Sequence, residues 1–381
     1  MSIKFVITGD FCPIMRNTEK VEKMDISIFG DFFSKMNTFD YCITNLEAPI
    51  TSCNNKIKKT GPNLKSSYNA LKLLQKVGFN LVTLANNHIL DYGEDGLIET
   101  ISNLNELKIE FVGAGKSIQE ARKPYIINKD GYSIGILNFA ENEFCSASTN
   151  RAGANPVNII SNYYDIRNLK DKVDYVIVIV HGGREHYPLP TPKTRERYRF
   201  YADCGADLVV GHHTHCYSGY EKWNNSLIFY SLGNFIFDYK KKYRTGLWTE
   251  GFGLELDFNS KGLYSFSLIP YYQGRKESPQ LKLMEKQDSS IFFERIKELN
   301  EIIVSDELFF NSWNKHLKKE RNFYLANLHI DNPYLRAGVI KGLIPHFPYN
   351  RNKELLFLNL FRCETHHELM INILSKEVYN K

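Results

Sequence analysis

Short runs of Val, Ile, Leu, Phe and Tyr punctuate this chain, and between many of them the apolar positions switch to helical spacing. The runs at 3–8 (IKFVIT), 41–44 (YCIT), 81–85 (LVTLA), 133–139 (SIGILNF), 175–180 (YVIVIV), 208–210 (LVV) and 227–232 (LIFYSL) predict buried strands. Over 67–78, Leu71, Leu74 and Val77 share a helical face and Gly78 takes the stop position; 93–108 and 194–207 predict further helices. Strand and helix alternate, which predicts a layered α/β fold. From about residue 252 the pattern becomes FGLELDF and YSFSLIPYY on either side of Gly262, an antiparallel hairpin. Beyond roughly residue 285 it turns helical: 292–303 carries an apolar stripe, and Thr365 with Glu368 forms a capping box before LMINIL. The polar, Pro-containing stretch 276–290 predicts a boundary between a domain over 1–280 and a helical extension over 281–381.

The polar exceptions fall just after the strands. Asp10 follows the first, Asn45 and Glu47 the second, Asn86, Asn87 and His88 the third, His181 the YVIVIV run, and GHHTH (211–215) the LVV run. In an open α/β sheet the carboxyl ends of strands are where loops converge on a ligand. On an extended segment His213 and His215 point to one face, while His212 points away. Asp10, Glu47, Asn87, His181, His213 and His215 together form a mixed nitrogen and oxygen ligand set large enough for two divalent ions. Mn, Fe or Zn suit such a mixture, and the absence of thiolates argues against structural zinc.

Composition narrows the picture only slightly. The chain has 381 residues, 43% hydrophobic and 24% charged, which excludes wholesale disorder. A net charge of +5 without a basic stripe speaks against a nucleic-acid partner. Seven scattered cysteines show no CxxC pairing and read as reduced thiols. The terminus MSIKFVITGD lacks a secretory pattern, and no stretch approaches the roughly 20 apolar residues of a membrane span, so no transmembrane segment and a cytoplasmic location are expected. KKKYR (240–244) reads as a solvated basic face.

Six segments in order, GDF (9–11), NLEAPI (45–50), LANNHILDYG (84–93), HGGREH (181–186), GHHTH (211–215) and YSLGNFIFD (230–238), resemble the motifs of the CapA family, named for poly-γ-glutamate capsule biosynthesis. The resemblance covers roughly residues 3–240 and implies a calcineurin-like metallophosphoesterase architecture, a four-layer β-sandwich flanked by helices. It implies that Asp10 and His215 hold one metal, that Asn87, His181 and His213 hold the other, and that Glu47 bridges them. His88 would act on the scissile phosphate or its leaving group, with Asp91 and Glu185 orienting ligand imidazoles. The implied activity is dinuclear phosphoester hydrolysis on a phosphorylated small molecule or polymer, in contact with capsule-synthesis machinery; an accessory protein binding a polyanionic polymer is the other reading. Two departures stand out: the family's HWG is HGG here, and Cys12 occupies the histidine position of the wider superfamily's DxH.

Overall fold

The computed structural model describes residues 3–345 apart from 60, 130, 260–261 and 330–331. The capping box at Thr365 and Glu368 lies outside the described residues. One compact unit spans Met1–Phe310, and a second begins at Asn311.

Two sheets build the first unit. The four leading parallel strands are β1 (Ile3–Phe11), β2 (Tyr41–Leu46), β3 (Leu81–Thr83) and β4 (Glu110–Val112). A small ribbon pairs β5 (Ala114–Gly115) with β8 (Gly153–Ala154). The second sheet contains β6 (Tyr125–Lys129), β7 (Tyr132–Ala140), β9 (Tyr175–His181), β10 (Leu208–His212), β11 (Tyr220–Trp223) and β12 (Ser226–Phe229), in the order β11-β12-β10-β9-β7-β6. The chain then returns to the first sheet through β13 (Asn234–Ile236), β14 (Glu250–Asn259), β15 (Gly262–Tyr272) and β16 (Lys282–Leu283). Its order is β16-β15-β14-β1-β2-β3-β4, with β13 also parallel to β1. The predicted hairpin is the antiparallel pair β14 and β15, turning where Asn259 faces Gly262.

Alternation along the first sheet sorts its side chains. Val6, Cys42 and Val82 face a core shared with Leu71 and Leu74 of helix Tyr68–Lys76 and with Leu97, Ile101 and Leu104 of helix Gly93–Leu107. Phe5 points the other way, stacking edge-on to Phe258, whose ring meets Tyr175 of the second sheet at 4.9 Å. The Asn138 amide oxygen on β7 also accepts from the Ala85 N–H, tying the sheets together after β3. Helices Ile159–Lys170 and Pro192–Asp203 cover the outer side of the second sheet, so the layers run helix, sheet, sheet, helix, and the expected α/β class holds.

Residues 281–310 belong to this unit. The Leu281 N–H donates to Ile28 and the Leu283 N–H to Asp31, and helix Lys286–Val304 buries Phe292, whose ring lies 4.8 Å from Tyr217. Helices Asp306–His329 and Pro333–Ile340 follow. No helix of the described residues is long and apolar enough to cross a membrane.

Close backbone approach fixes the start of the site. A Cβ on Gly9 would lie 1.9 Å from the Gly233 carbonyl oxygen, because β1 and β13 meet there. Gly9→Ala must therefore push apart the strands that carry Asp10 and Asn234. A loss of about 3 kcal/mol in chemical denaturation is the expected result; unchanged stability would contradict this packing.

Candidate functional site

The parallel strands of both sheets end at one place. Asp10 lies near the end of β1, opposite Asn45 on β2 and Asn234 on β13, and the strand register shifts at Asp10 on both sides. Such bulges re-aim a side chain at a sheet edge. His181 closes β9 beside His212 on β10, while Glu47 and Asn87 follow β2 and β3. All six sequence-predicted ligands are buried.

Their atoms form two overlapping sets. Ligand atoms of Glu47, His181 and His213 lie within 4.8 Å of one another, as do those of Asp10, Glu47 and His215. Glu47 belongs to both. Its Oε1 is 3.8 Å from His181 Nε2 and 3.7 Å from His215 Nε2. The Asn87 Oδ1 sits 3.1 Å from His181 Nε2, and the His213 Nδ1 is 3.0 Å from that same nitrogen.

The electrostatics of this cluster are those of a cation site. Neither buried carboxylate oxygen of Glu47 accepts a hydrogen bond, a state that costs several kcal/mol unless a positive charge compensates it. Burial, then the neighbouring Asp10 charge, pushes the Glu47 carboxyl well above the usual carboxylate range. Burial opposes ionisation of Asp10 too, but the imidazoles of His212, His181 and His215 outweigh it and hold that carboxyl far below its ordinary value. Burial depresses His181 strongly, aided by His213, and brings His215 down to about 4. Neutral imidazoles and an anionic Asp10 are forms that bind divalent ions, and a cation would compensate the Glu47 carboxylate once its proton leaves, so the residues present fit a metal.

The histidine geometry differs from the extended-strand expectation. β10 stops at His212, and His213 and His215 take positive φ angles of 87° and 56°. A left-handed turn, sparsely populated for non-glycine residues, brings their rings to the site in place of strand alternation. His212 does not point away: its Nδ1 stands 3.3 Å from Asp10 Oδ1.

The residues expected to assist divide. His88 Nδ1 lies 2.6 Å from Asp91 Oδ2, so Asp91 orients His88 and not one of the six ligands. Asp91 also accepts from the Leu64 N–H at 2.6 Å and pairs with the buried Lys59, whose Nζ is 3.2 Å from His88 Nδ1. Glu185 is half-exposed on the rim of the adjoining cavity, 3.9 Å from His186 Nε2; burial would raise its carboxyl, but His215 and His213 draw it below its usual value. Cys12 is fully buried among Ala48, Leu64, Phe237 and Trp248, its thiol pushed up by burial and then by the charges of Glu47, Asp91 and Asp10. It joins neither ligand set and does not replace the missing imidazole.

Three residues outside the predicted ligand set organise the site. The Asn45 amide nitrogen donates to Asp10 Oδ1 at 2.7 Å and stands 3.1 Å from His181 Nδ1. Asn234 Oδ1 receives His215 Nδ1 at 2.9 Å while its amide reaches the Trp248 carbonyl. Both lie inside quoted motifs, NLEAPI and YSLGNFIFD, where their position after a strand was the available signal. Lys59 lies in a coil with no periodicity to mark it. Partners of this kind typically tune metal affinity 10–100-fold, roughly. Asn45→Ala is therefore expected to weaken Mn²⁺ binding by about that factor in equilibrium dialysis; an unaltered affinity would contradict its bridging position.

The model of the family described as "Bacterial capsule synthesis protein PGA_cap" matches residues 4–239, more than half of the chain and every residue of the cluster. The chain belongs to this family. Among PGA_cap relatives, it is 34% identical over 229 residues to the PGA biosynthesis protein CapA of Bacillus subtilis, covering 58% of this chain and 60% of that protein. It is 31% identical to the capsule biosynthesis protein CapA of Bacillus anthracis, covering 55% and 54%. A probable polyglutamine synthesis accessory protein of Mycobacterium tuberculosis is 26% identical over 53% of this chain and 56% of its own. The match thus spans between half and two thirds of each relative's length. Among solved structures, a 5'-nucleotidase of Candida albicans aligns with a TM-score of 0.42 and 12% identity, over 84% of this chain and 58% of that one.

Proposed function

We propose that this PGA_cap protein is a dinuclear metal-dependent phosphoester hydrolase whose substrate is tied to capsule or another cell-surface polymer. The observation that carries the reading is Glu47, shared by two ligand sets with both oxygens unpartnered. Asp10 and His215 would hold one ion and Asn87, His181 and His213 the other. When bound, such a pair supplies positive charge to the phosphoryl oxygens and makes water acidic enough to attack near neutral pH.

The chain's own residues supply the rest. In hydrolysis a water oxygen bonds to phosphorus, the bond from phosphorus to the alcohol oxygen breaks, and a proton must reach that oxygen. His88 lines the cavity beside the cluster, and Asp91 and Lys59 occupy its Nδ1 side. Its Nε2 is the nitrogen left to face substrate. Asp91 holds the ring through Nδ1, so His88 carries the proton to the departing alkoxide on Nε2. Buried, neutral His181 and His215 keep their lone pairs for ligation, while Asn45 and Asn234 fix Asp10, His181 and His215 in orientation.

The test is hydrolysis of aryl phosphate mono- and diesters by Mn²⁺-loaded protein, with Asp10→Ala and His213→Ala abolishing it. A second reading draws on the mycobacterial relative, whose name makes it an accessory protein: here the metals would bind a polyanionic chain or the synthase complex without turnover. Two bound ions with no cleavage of any ester would favour that reading.

A further inference from the structure

Beside His215 and His88 opens a cavity of ≈ 210 Å³, and four of its eleven lining residues are Phe, Tyr or Trp. Phe237, Tyr239, Tyr243 and Trp248 come from the segment after β13, and His186 and Pro62 complete the lining beside them. His186 stacks on Tyr243 with centroids 5.2 Å apart and planes 21° apart. Tyr243 lies 4.8 Å from Trp248, which in turn lies 4.7 Å from the imidazole of His215. The aromatic wall absent from HGG beside His181 is thus present at the other ligand set, supplied by a different element. KKKYR is more than a solvated basic face, since Lys240 and Tyr243 line this cavity.

The wall is held in place before any ligand arrives. The carboxylate of Asp238, fully buried, receives Arg16 Nη2 at 2.7 Å and Arg244 Nε at 3.0 Å, clamping both ends of the segment 238–244. The Trp248 indole N–H donates to the Phe237 carbonyl at 3.2 Å. A pocket so pre-ordered loses little entropy on binding. Metal-type ligands at one end and aromatic side chains at the other define a two-part ligand. We infer that the site takes phosphate monoesters whose alcohol portion carries a ring, and that the ring rests against Tyr243 and Trp248 while the phosphate lies at the His215 end. A nucleobase and a sugar both offer such a face. A short linear alcohol offers none.

This inference rests on the hydrolase reading for its turnover, so two readouts separate them. With Mn²⁺-loaded protein, kcat/KM is measured for adenosine 5'-monophosphate, glucose 1-phosphate and glycerol 3-phosphate. One or both ring-bearing esters should exceed glycerol 3-phosphate by about tenfold or more, the size expected for one ring stack. Whichever ester leads identifies base or sugar as the source. Tyr243→Ala should bring that ratio close to one through KM, and Tyr243→Phe, which keeps the ring, should preserve it. Equal kcat/KM for all three esters in the parent protein overturns the inference, as does a preference that survives Tyr243→Ala. Binding is read separately by quenching of Trp248 fluorescence in a Trp223→Phe, Trp313→Phe background. Quenching by the ring-bearing esters but not by glycerol 3-phosphate, without turnover, would sink the hydrolase reading and leave this one standing. No selective quenching overturns it whatever the turnover.

Discussion

Glu47→Gln is expected to abolish loading of the paired site and with it phosphoester turnover, while leaving metal-free protein folded. The carboxylate is the one side chain common to both ligand sets, and its oxygens have no other partner. A neutral amide of the same shape removes the shared anion, which should cost at least about 100-fold in Mn²⁺ affinity, more than loss of an orienting partner does. Metal-free protein should respond in the opposite sense, because an amide is neutral without the proton uptake that burial imposes on the Glu47 carboxyl. The folded Glu47 carboxyl titrates well above its ordinary 4.5, so the folded state holds a proton that the unfolded chain has released. Stability conferred by that proton is present below about pH 4.5 and is lost as pH rises through the folded value. His181 and His215 act in reverse: their folded values lie below 6.5, His215's at about 4, so their contribution grows as pH climbs and is complete above 6.5. Thermal unfolding of EDTA-treated protein should therefore fall off less with rising pH in Glu47→Gln than in the parent. Mn²⁺ should raise the parent's Tm and leave the variant's unmoved. A variant that binds Mn²⁺ as tightly as the parent would remove Glu47 from its shared position.

His88→Asn should lower kcat by about 10²–10⁴, the usual range for a lost proton donor, with metal content unchanged and KM little altered. The defect should depend on the leaving group. An aryl alcohol departs as a stable anion and needs little protonation, so its ester should lose least; an alkyl ester should lose most. Asp91→Asn should follow the same pattern to a smaller extent, since it weakens the 2.6 Å contact that orients the ring while sparing the imidazole. Steady-state kinetics on a series of esters with alcohols of graded acidity makes the distinction. Equal losses across the series would assign His88 to positioning alone.

Hydrophobic runs located the strands that carry the site because those strands are buried on both faces and read as unbroken Val and Ile, as in β9 and β10. The short partners β4, β11 and β13, with three or four residues each, left too little pattern to mark. Asp10, Glu47, His181, His213 and His215 were legible because charged and imidazole groups at strand ends are conspicuous. How His213 and His215 converge was not, since spacing alone does not disclose a left-handed turn. Asn45 and Asn234 escaped notice as functional groups because an amide after a strand is also an ordinary turn residue. Lys59 and Trp248 reach the site across tertiary packing, from coil and from a single 3₁₀ turn, and no local periodicity records such contacts.

The most direct measurement is anomalous diffraction at the Mn edge from crystals of the Mn²⁺-loaded chain. Two peaks, one among Asp10, Glu47 and His215 and the other among Glu47, Asn87, His181 and His213, with the Glu47 carboxylate between them, are the predicted result. Mn²⁺ bound elsewhere, or a single peak that Glu47 does not touch, would contradict the account.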